Sequence, residues 1–301
     1  MKININIVDL IYKNKYIRNF FLPPEYTSQI FPHNYESLQN RWEGMDKINN
    51  TSSPIFIFSA GWGSGSTLLQ RLIMSSGEVL IWGEPFDRSI PIQRMASSLA
   101  AIKHDWPPNY HFTDTNSISK LSNSWIANLS PPPQDLKKAH LSFFTEWFET
   151  SLPIYNVKRW GLKEVRLTIN HAHYLKWLFP NAKFVFIYRD LPDTYRSCKN
   201  KQWYLSWPKY KMSNFITFTM HWKNLTESFI KQHHEVDGFL IRYEELITKN
   251  FDFSELENYL NIKHIDTSVL KEKIGSRKKA NKISKIEMKL LKLIQSSIKI
   301  Q

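Results

Sequence analysis

The chain has 301 residues, 42% hydrophobic and 14% aromatic, so it can form a globular core and is not intrinsically disordered. A single cysteine, Cys198, excludes an internal disulfide and a cysteine-based metal site. The net charge of +13 is concentrated in residues 271–301, which hold ten Lys or Arg and two acids, and no RNA- or DNA-binding signature accompanies this charge.

The first part of the chain has no periodicity that defines an element. We predict that residues 1–50 form an N-terminal extension packed on the core of a domain spanning residues 51–301. No run of 18 apolar residues occurs, and the N-terminus lacks the apolar segment of a signal peptide. We therefore expect a cytoplasmic protein with no membrane partner.

A glycine-rich turn follows a short apolar run, Ile55 to Phe58, that is typical of a buried parallel strand. Apolar residues at helical spacing come next, so the order is strand, turn and helix. Such a turn presents backbone N–H groups and the positive end of a helix dipole, which favours phosphate or sulfate binding; an ordinary strand-to-helix loop is the alternative. The residues of the turn are Gly61, Trp62, Gly63, Ser64, Gly65, Ser66 and Thr67.

This turn lacks two common nucleotide-binding motifs. A Walker A motif requires a lysine between Gly65 and Thr67, where this chain has Ser66. The third glycine of the dinucleotide-binding pattern is also missing. A nucleotide triphosphatase or kinase is therefore disfavoured, and a different phosphorylated donor is needed.

The next apolar run, Val79 to Trp82, predicts a second strand with Glu84 at its carboxyl end, beside the glycine-rich turn. Residues 89–151 contain helical patches separated by prolines and predict a helical insertion. An insertion at this place is suited to recognise the variable part of a substrate, although it could simply cover the core.

The remaining chain again alternates strands and helices. Lys183 to Tyr188 predicts a strand that ends at Arg189, and a helix beginning near Pro192 carries Ser197. A further strand covers Phe239 to Tyr243. The C-terminal helix has one apolar stripe with lysines elsewhere. The alternation of strands and helices along the chain predicts an α/β fold of three layers with a central parallel sheet. The stripe consists of Ile283, Ile286, Leu290, Leu293 and Ile294.

Several of these blocks together resemble the sulfotransferases that use 3′-phosphoadenosine 5′-phosphosulfate (PAPS). The run Ser64 to Thr67 is similar to the family's loop around the 5′-phosphosulfate, and Arg189 with Ser197 matches the pair that holds the 3′-phosphate. Pro180 to Phe184 and Arg242 to Leu246 look like blocks of bacterial and tyrosylprotein members. The resemblance implies a P-loop-like nucleotide-binding core, PAPS as donor, 3′,5′-bisphosphorylated adenosine (PAP) as product, and in-line transfer that requires no metal.

The resemblance also implies roles for individual residues. Glu84 corresponds to the catalytic glutamate of the tyrosylprotein branch and is the expected general base, while Lys163 corresponds to the lysine that reaches the transferring group. Val165 stands where the cytosolic branch has a catalytic histidine, which favours Glu84. Tyr243 matches a tyrosine near the adenine, or it is a half-buried strand tyrosine. The cations implied to close over the 3′-phosphate, unless they are a solvated charge run, are Arg277, Lys278 and Lys279.

One position departs from the family pattern. Relatives have Lys or Arg immediately before the Ser-Gly pair of the loop, where this chain has Gly63. Either Lys163 stabilises the leaving group as well, or Arg71 or Arg166 moves in, or the protein binds PAPS but transfers slowly. The leading hypothesis is sulfation of a hydroxyl or amine of a small-molecule natural product. The alternatives are a saccharide or peptide acceptor, a catalytically weak PAPS-binding regulatory protein, and a nucleic-acid-binding module motivated only by the charged tail.

Overall fold

The computed structural model describes most of the chain from residue 50 onward. The described residues are 40, 48, 50–85, 90–102, 105–111, 118–123, 125–201, 215–272 and 283–298.

The centre of the fold is a parallel sheet of five strands. They are β1 (Ile55–Ser59), β2 (Val79–Trp82), β3 (Arg159–Glu164), β4 (Lys183–Tyr188) and β5 (Phe239–Arg242). Their order in the sheet is β2-β3-β1-β4-β5, so β1 is central and pairs with β3 and β4. Because all pairs are parallel, the carboxyl ends of all five strands lie at one edge. The predicted α/β fold with a parallel sheet is confirmed.

Helices connect the strands and cover the sheet. In chain order they are α1 (Ser66–Met74), α2 (Pro91–Ser97), α3 (Ile118–Leu121), α4 (Pro133–Phe148), α5 (Ile169–Leu178), α6 (Leu191–Lys201), α7 (Phe215–Gln232), α8 (Tyr243–Leu246), α9 (Phe253–Leu260) and α10 (Lys285–Ser296). Short 3₁₀ helices cover Asn109–His111, Leu152–Tyr155, His233–Val236 and Thr267–Lys271. Helices α2, α3 and α4 all lie between β2 and β3 in the chain, within the range predicted as a helical insertion.

The two faces of the sheet have different chemistry because side chains alternate along each strand. On one face, Phe56 and Phe58 of β1 and Phe184 and Phe186 of β4 join an aromatic cluster with α4, α5 and α7. On the other face, aliphatic residues of the same strands pack against α1 and α9. This alternation produces the three layers and leaves the strand ends as the place where polar side chains collect.

Helix α10 packs against α6 and α7 through an edge that includes only part of the stripe that the sequence indicated. Leu291 and Ile294 are buried in the cluster with those helices, whereas Ile286, Leu290 and Leu293 are exposed. The helix is thus amphipathic as predicted, but most of the stripe faces solvent. The reason is that the docking face is chosen by the neighbouring helices and not by the apolar pattern alone.

Helix α5 begins with a capping box that uses a buried histidine. The backbone N–H of Thr168 donates to Nδ1 of His171 at 3.0 Å, and the Thr168 hydroxyl lies 2.9 Å from the same nitrogen. Burial lowers the pKa of His171 to about 4, so the ring is neutral at pH 7 and Nδ1 can accept. This histidine therefore has a structural task.

None of the described helices has both the length and the hydrophobicity that are needed to cross a bilayer.

Candidate active site

The glycine-rich turn between β1 and α1 adopts a left-handed backbone that needs its glycines. Gly61, Gly63 and Gly65 have φ values of 82°, 82° and 93°, a region that L side chains rarely adopt. The buried hydroxyl of Ser64 lies within hydrogen-bonding distance of two carbonyl oxygens, Ala60 at 3.1 Å and Gly61 at 2.7 Å. The Ser64 side chain therefore stabilises the turn.

The far end of the turn is the start of α1. Ser66 and Thr67 are its first two residues, and Gly65 precedes them without a side-chain cap. The first N–H groups of a helix have no acceptor within that helix, and the helix dipole places a partial positive charge there. This end of the turn is thus suited to an anion.

The aromatic ring of Tyr243 lies directly on the turn. A Cβ atom at Gly65 would lie 2.1 Å from Cδ2 of Tyr243, so only glycine fits at this position. The guanidinium carbon of Arg189 lies 4.4 Å from the centroid of the same ring, and Nη1 of Arg189 donates to the Gly63 carbonyl at 3.3 Å. Residues that follow β1, β4 and β5 therefore form one cluster at the carboxyl edge of the sheet. The sequence suggested that β5 extends to Tyr243. In the structure, β5 ends at Arg242 and Tyr243 begins α8.

Helix α6 brings Ser197 against the same turn. A Cβ atom at Gly63 would lie 2.9 Å from both Cβ and Oγ of Ser197. The position where relatives carry a cation therefore combines a positive φ with a close neighbour, and this explains why the chain has glycine there. The structure brings the glycine-rich turn, Arg189 and Ser197 together in one region, although they are widely separated in the chain.

Two carboxylates orient the Arg189 side chain. Its Nε lies 3.9 Å from Oε1 of Glu244, and its Nη2 lies 3.8 Å from Oδ2 of Asp193. Glu244 is itself held because Oε1 accepts from the backbone N–H of Asp190 at 3.1 Å. The Arg189 side chain remains 25% exposed. Sequence reasoning did not single out Glu244, although it lies within the matched block Arg242 to Leu246.

A second polar cluster lies at the ends of β2 and β3. Nζ of Lys163 donates to Oε1 of Glu84 at 2.6 Å, and Nη1 of Arg166 donates to Oε2 of Glu84 at 3.0 Å. The Glu84 side chain is 20% exposed, whereas the Lys163 and Arg166 side chains are 9% and 1% exposed. The predicted base and the predicted lysine are therefore in direct contact, and a second cation shares the carboxylate.

Glu164 extends this cluster into the interior. Its Oε1 accepts from Nη1 of Arg166 at 3.1 Å and from the backbone N–H groups of Val165 and Arg166 at 2.8 and 3.1 Å. Its buried Oε2 has no hydrogen-bond partner among the described residues. Burial raises the pKa of Glu164 to about 7; the charge of Arg166 opposes this rise and that of Glu84 adds to it. Glu164 was not predicted as a site residue, although it adjoins Lys163 in the chain.

Arg166 links the two clusters. Because β3 separates β2 from β1, Glu84 does not follow a strand adjacent to the glycine-rich turn. The guanidinium carbon of Arg166 lies 5.5 Å from the ring centroid of Trp62, the buried tryptophan of the turn. On α7, the ring of His221 lies 5.9 Å from that of Trp62. Burial lowers the pKa of His221 to about 3, and the charge of Arg166 contributes, so this imidazole is neutral at pH 7.

Some predicted residues are not placed. Arg277, Lys278 and Lys279 lie outside the described residues. Arg71 lies on α1, half-buried. Within the described part of the chain, no group of three or more His, Cys, Asp or Glu could hold a metal ion.

Comparison with known proteins identifies the class. The model of the "Sulfotransferase family" matches residues 54–258, which is more than half of the chain. The chain therefore belongs to the sulfotransferase family, a family of enzymes. A search of curated proteins finds no match.

Solved structures with a similar fold include three sulfotransferases. Mouse sulfotransferase SULT7A1 complexed with PAP is 14% identical, with 78% of this chain and 67% of that chain covered and a TM-score of 0.37. The sulfotransferase domain from the curacin biosynthetic pathway is 15% identical over 74% and 77%, with a TM-score of 0.41. STF1 from Mycobacterium tuberculosis H37Rv is 12% identical over 88% and 81%, also with a TM-score of 0.41. These values are too low to transfer a ligand or substrate.

Proposed function

We propose that the protein transfers a sulfuryl group from PAPS to a hydroxyl or amine of a small-molecule natural product. One observation carries the choice of donor: the glycine-rich turn, Arg189 and Ser197 meet in one region. PAPS has anionic groups at both ends, so its binding site needs two sets of donors that face one cleft. Backbone amides supply one set, and a guanidinium with a hydroxyl supplies the other.

The residues present fit this donor. The turn would hold the 5′-phosphosulfate through its backbone, since side chains are excluded at Gly63 and Gly65. Arg189 and Ser197 would hold the 3′-phosphate, with Tyr243 beside the adenine. Arg277, Lys278 and Lys279 are proposed to close over the 3′-phosphate.

Glu84 and Lys163 are proposed to perform the acid–base and electrostatic work. The bound donor supplies an activated sulfuryl group, and Glu84 accepts the proton of the attacking hydroxyl or amine. Lys163 donates to Glu84 at 2.6 Å, and it would turn towards the developing negative charge during transfer. Because Gly63 provides no cation, Lys163 would be the main group that stabilises this charge.

A second candidate is a PAPS-binding regulatory protein with weak activity. The observation that favours it is Gly63, where the family's cation is missing and where a Cβ atom would meet Ser197 at 2.9 Å. Such a protein would bind the nucleotide normally and would turn over slowly with every acceptor.

The test combines nucleotide binding with an acceptor screen. PAP is expected to raise the melting temperature by mass action, by an amount equivalent to about 2.7 kcal/mol at a hundredfold excess over the dissociation constant. Labelled PAPS is then screened against small phenols, alcohols and amines, with saccharides and peptides as competing classes. No melting shift at millimolar PAP would refute every role for PAPS. Binding without transfer to any class would favour the regulatory candidate.

The role of Glu84 is tested separately. Glu84→Gln should keep the PAP-induced shift and lose most turnover, because it removes the proton acceptor and leaves the nucleotide contacts intact. Glu146→Gln, an exposed glutamate on α4, is the control and should behave like the wild type. Retained turnover in Glu84→Gln would place the base elsewhere.

A further inference from the structure

The cluster at the ends of β2 and β3 contains four ionisable side chains in a row, alternately basic and acidic: Lys163, Glu84, Arg166 and Glu164. We propose that Arg166 and Glu164 form a buried positioning pair that holds the Glu84 carboxylate in place while Lys163 turns to the transferring group. This inference rests on the proposed function, because it assumes that Glu84 is the general base.

The first argument is geometric. One nitrogen of Arg166, Nη1, lies 3.0 Å from Oε2 of Glu84 and 3.1 Å from Oε1 of Glu164, so it bridges the two carboxylates. The guanidinium carbon of Arg166 also lies 5.5 Å from the ring centroid of Trp62. With only 1% of its side chain exposed, Arg166 has little room to move and keeps its contact with Glu84 when Lys163 leaves.

The second argument concerns what fixes Arg166. Glu164 cannot turn freely, because its Oε1 accepts two backbone N–H groups in addition to Arg166. Among the described residues, the charged or titratable groups near this pair are Glu84 after β2, which contacts Arg166, Lys163 on β3, which contacts Glu84, and neutral His221 on α7. The backbone of β3 therefore sets the position of Glu164, Glu164 sets that of Arg166, and Arg166 sets that of Glu84.

The third argument separates this role from donor binding. Arg166 is buried and shares Glu84, whereas the anion-binding donors belong to the turn and to Arg189, which is 25% exposed. Loss of Arg166 should therefore lower kcat and leave nucleotide affinity nearly unchanged. A misplaced base commonly costs about a hundredfold in rate, and we expect a loss of roughly tenfold to a hundredfold.

The variants are Arg166→Gln, which removes the charge, and Arg166→Lys, which restores a cation. The control is Arg159→Gln at the opposite end of β3, where Arg159 donates to the backbone carbonyls of Ser53 and Leu260. Turnover is read as PAP formed from PAPS, with water or with an acceptor from the screen. We expect Arg166→Gln to lose turnover, Arg166→Lys to recover part of it, and Arg159→Gln to lose stability but keep turnover at permissive temperature. The PAP-induced melting shift should survive in all three.

A second readout needs neither donor nor acceptor. Burial raises the pKa of Glu164 to about 7, and carbon-13 NMR of labelled glutamate follows its titration. The Glu164 signal is assigned by its loss in Glu164→Gln. Glu84→Gln removes a negative charge and should lower this pKa, whereas Arg166→Gln removes a cation and should raise it. If Arg166→Gln does not fold, the turnover of Arg166→Lys and the titration of Glu164 in Glu84→Gln still test the proposal.

The outcomes separate this inference from the proposed function. A Glu164 titration that is unmoved in both variants overturns the pair, whatever the activity. Turnover lost in Glu84→Gln but retained in Arg166→Gln overturns the positioning role alone. Turnover retained in both variants overturns the general base and the positioning role together. Failure of PAP to bind refutes PAPS as the donor, while the Glu164 titration still tests the pair formed by Arg166 and Glu164.

Discussion

Replacing Gly65 by alanine tests the contact between the glycine-rich turn and Tyr243. The new Cβ would lie 2.1 Å from Cδ2 and 2.5 Å from Cε2 of the tyrosine ring, so the ring must move. Arg189 stacks on that ring at 4.4 Å and should be displaced with it. We therefore expect the substitution to reduce both stability and PAP binding.

The magnitude follows from two separate costs. A non-glycine residue in the left-handed region loses about 1–2 kcal/mol, and Gly65 has a φ of 93°. Overpacking adds about 1–3 kcal/mol, for a total of roughly 2–5 kcal/mol. Gly77→Ala is the matched control, because Gly77 has a φ of 73° but no atom within 4 Å of the new Cβ. It should lose only the first, backbone cost.

The assay compares the two variants directly. Urea unfolding reports the free energy of unfolding, and the PAP-induced melting shift reports binding. Gly77→Ala should bind PAP like the wild type, whereas Gly65→Ala should be less stable than Gly77→Ala and bind PAP weakly. Equal losses of stability in the two variants, with PAP binding intact in both, would refute the reasoning.

Three further predictions address other parts of the molecule. Arg189→Ala should weaken PAP binding at least tenfold in calorimetry, since a charge-assisted hydrogen bond contributes about 1.5–3 kcal/mol, while Arg94→Ala at an exposed position of α2 should not. Gly63→Lys should lower the melting temperature without raising turnover, because φ is 82° and Ser197 lies 2.9 Å from the new Cβ; a gain in turnover would contradict this. The depressed pKa of His171, about 4 against 6.5, means that the unfolded chain binds the extra proton. The stability from this neutral ring is present above pH 6.5 and lost as pH falls towards 4, by up to about 1.4 kcal/mol per pH unit. His171→Asn should flatten that slope in urea titrations, and an unchanged slope would assign the proton elsewhere.

Local patterns in the sequence were sufficient for much of the fold. The apolar run before the glycine-rich turn and the run ending at Arg189 are strands as predicted, because short runs of aromatic and β-branched residues suit a sheet covered on both faces. The glycines of the turn were also informative, since a left-handed backbone excludes most other residues. The helix predicted to begin near Pro192 and to carry Ser197 is present as α6.

Other features depend on contacts between distant parts of the chain. The strand order places β3 between β1 and β2, so Glu84 does not follow a strand next to the glycine-rich turn. Arg166, which lies 82 residues from Glu84 in the chain, connects the two regions. Likewise, the periodicity of α10 indicates its apolar stripe but does not indicate which residues of that stripe are exposed, because the contacts with α6 and α7 select the buried face.

The sequence by itself determined the order of strands and helices, the left-handed turn and the family, since these depend on local backbone preferences and short motifs. Only the tertiary structure decided that Tyr243 covers Gly65, that Ser197 occupies the space beside Gly63, and that Arg166 joins two carboxylates. The physical reason is that packing distances and burial arise when separate segments meet, and no local pattern specifies which segments those are.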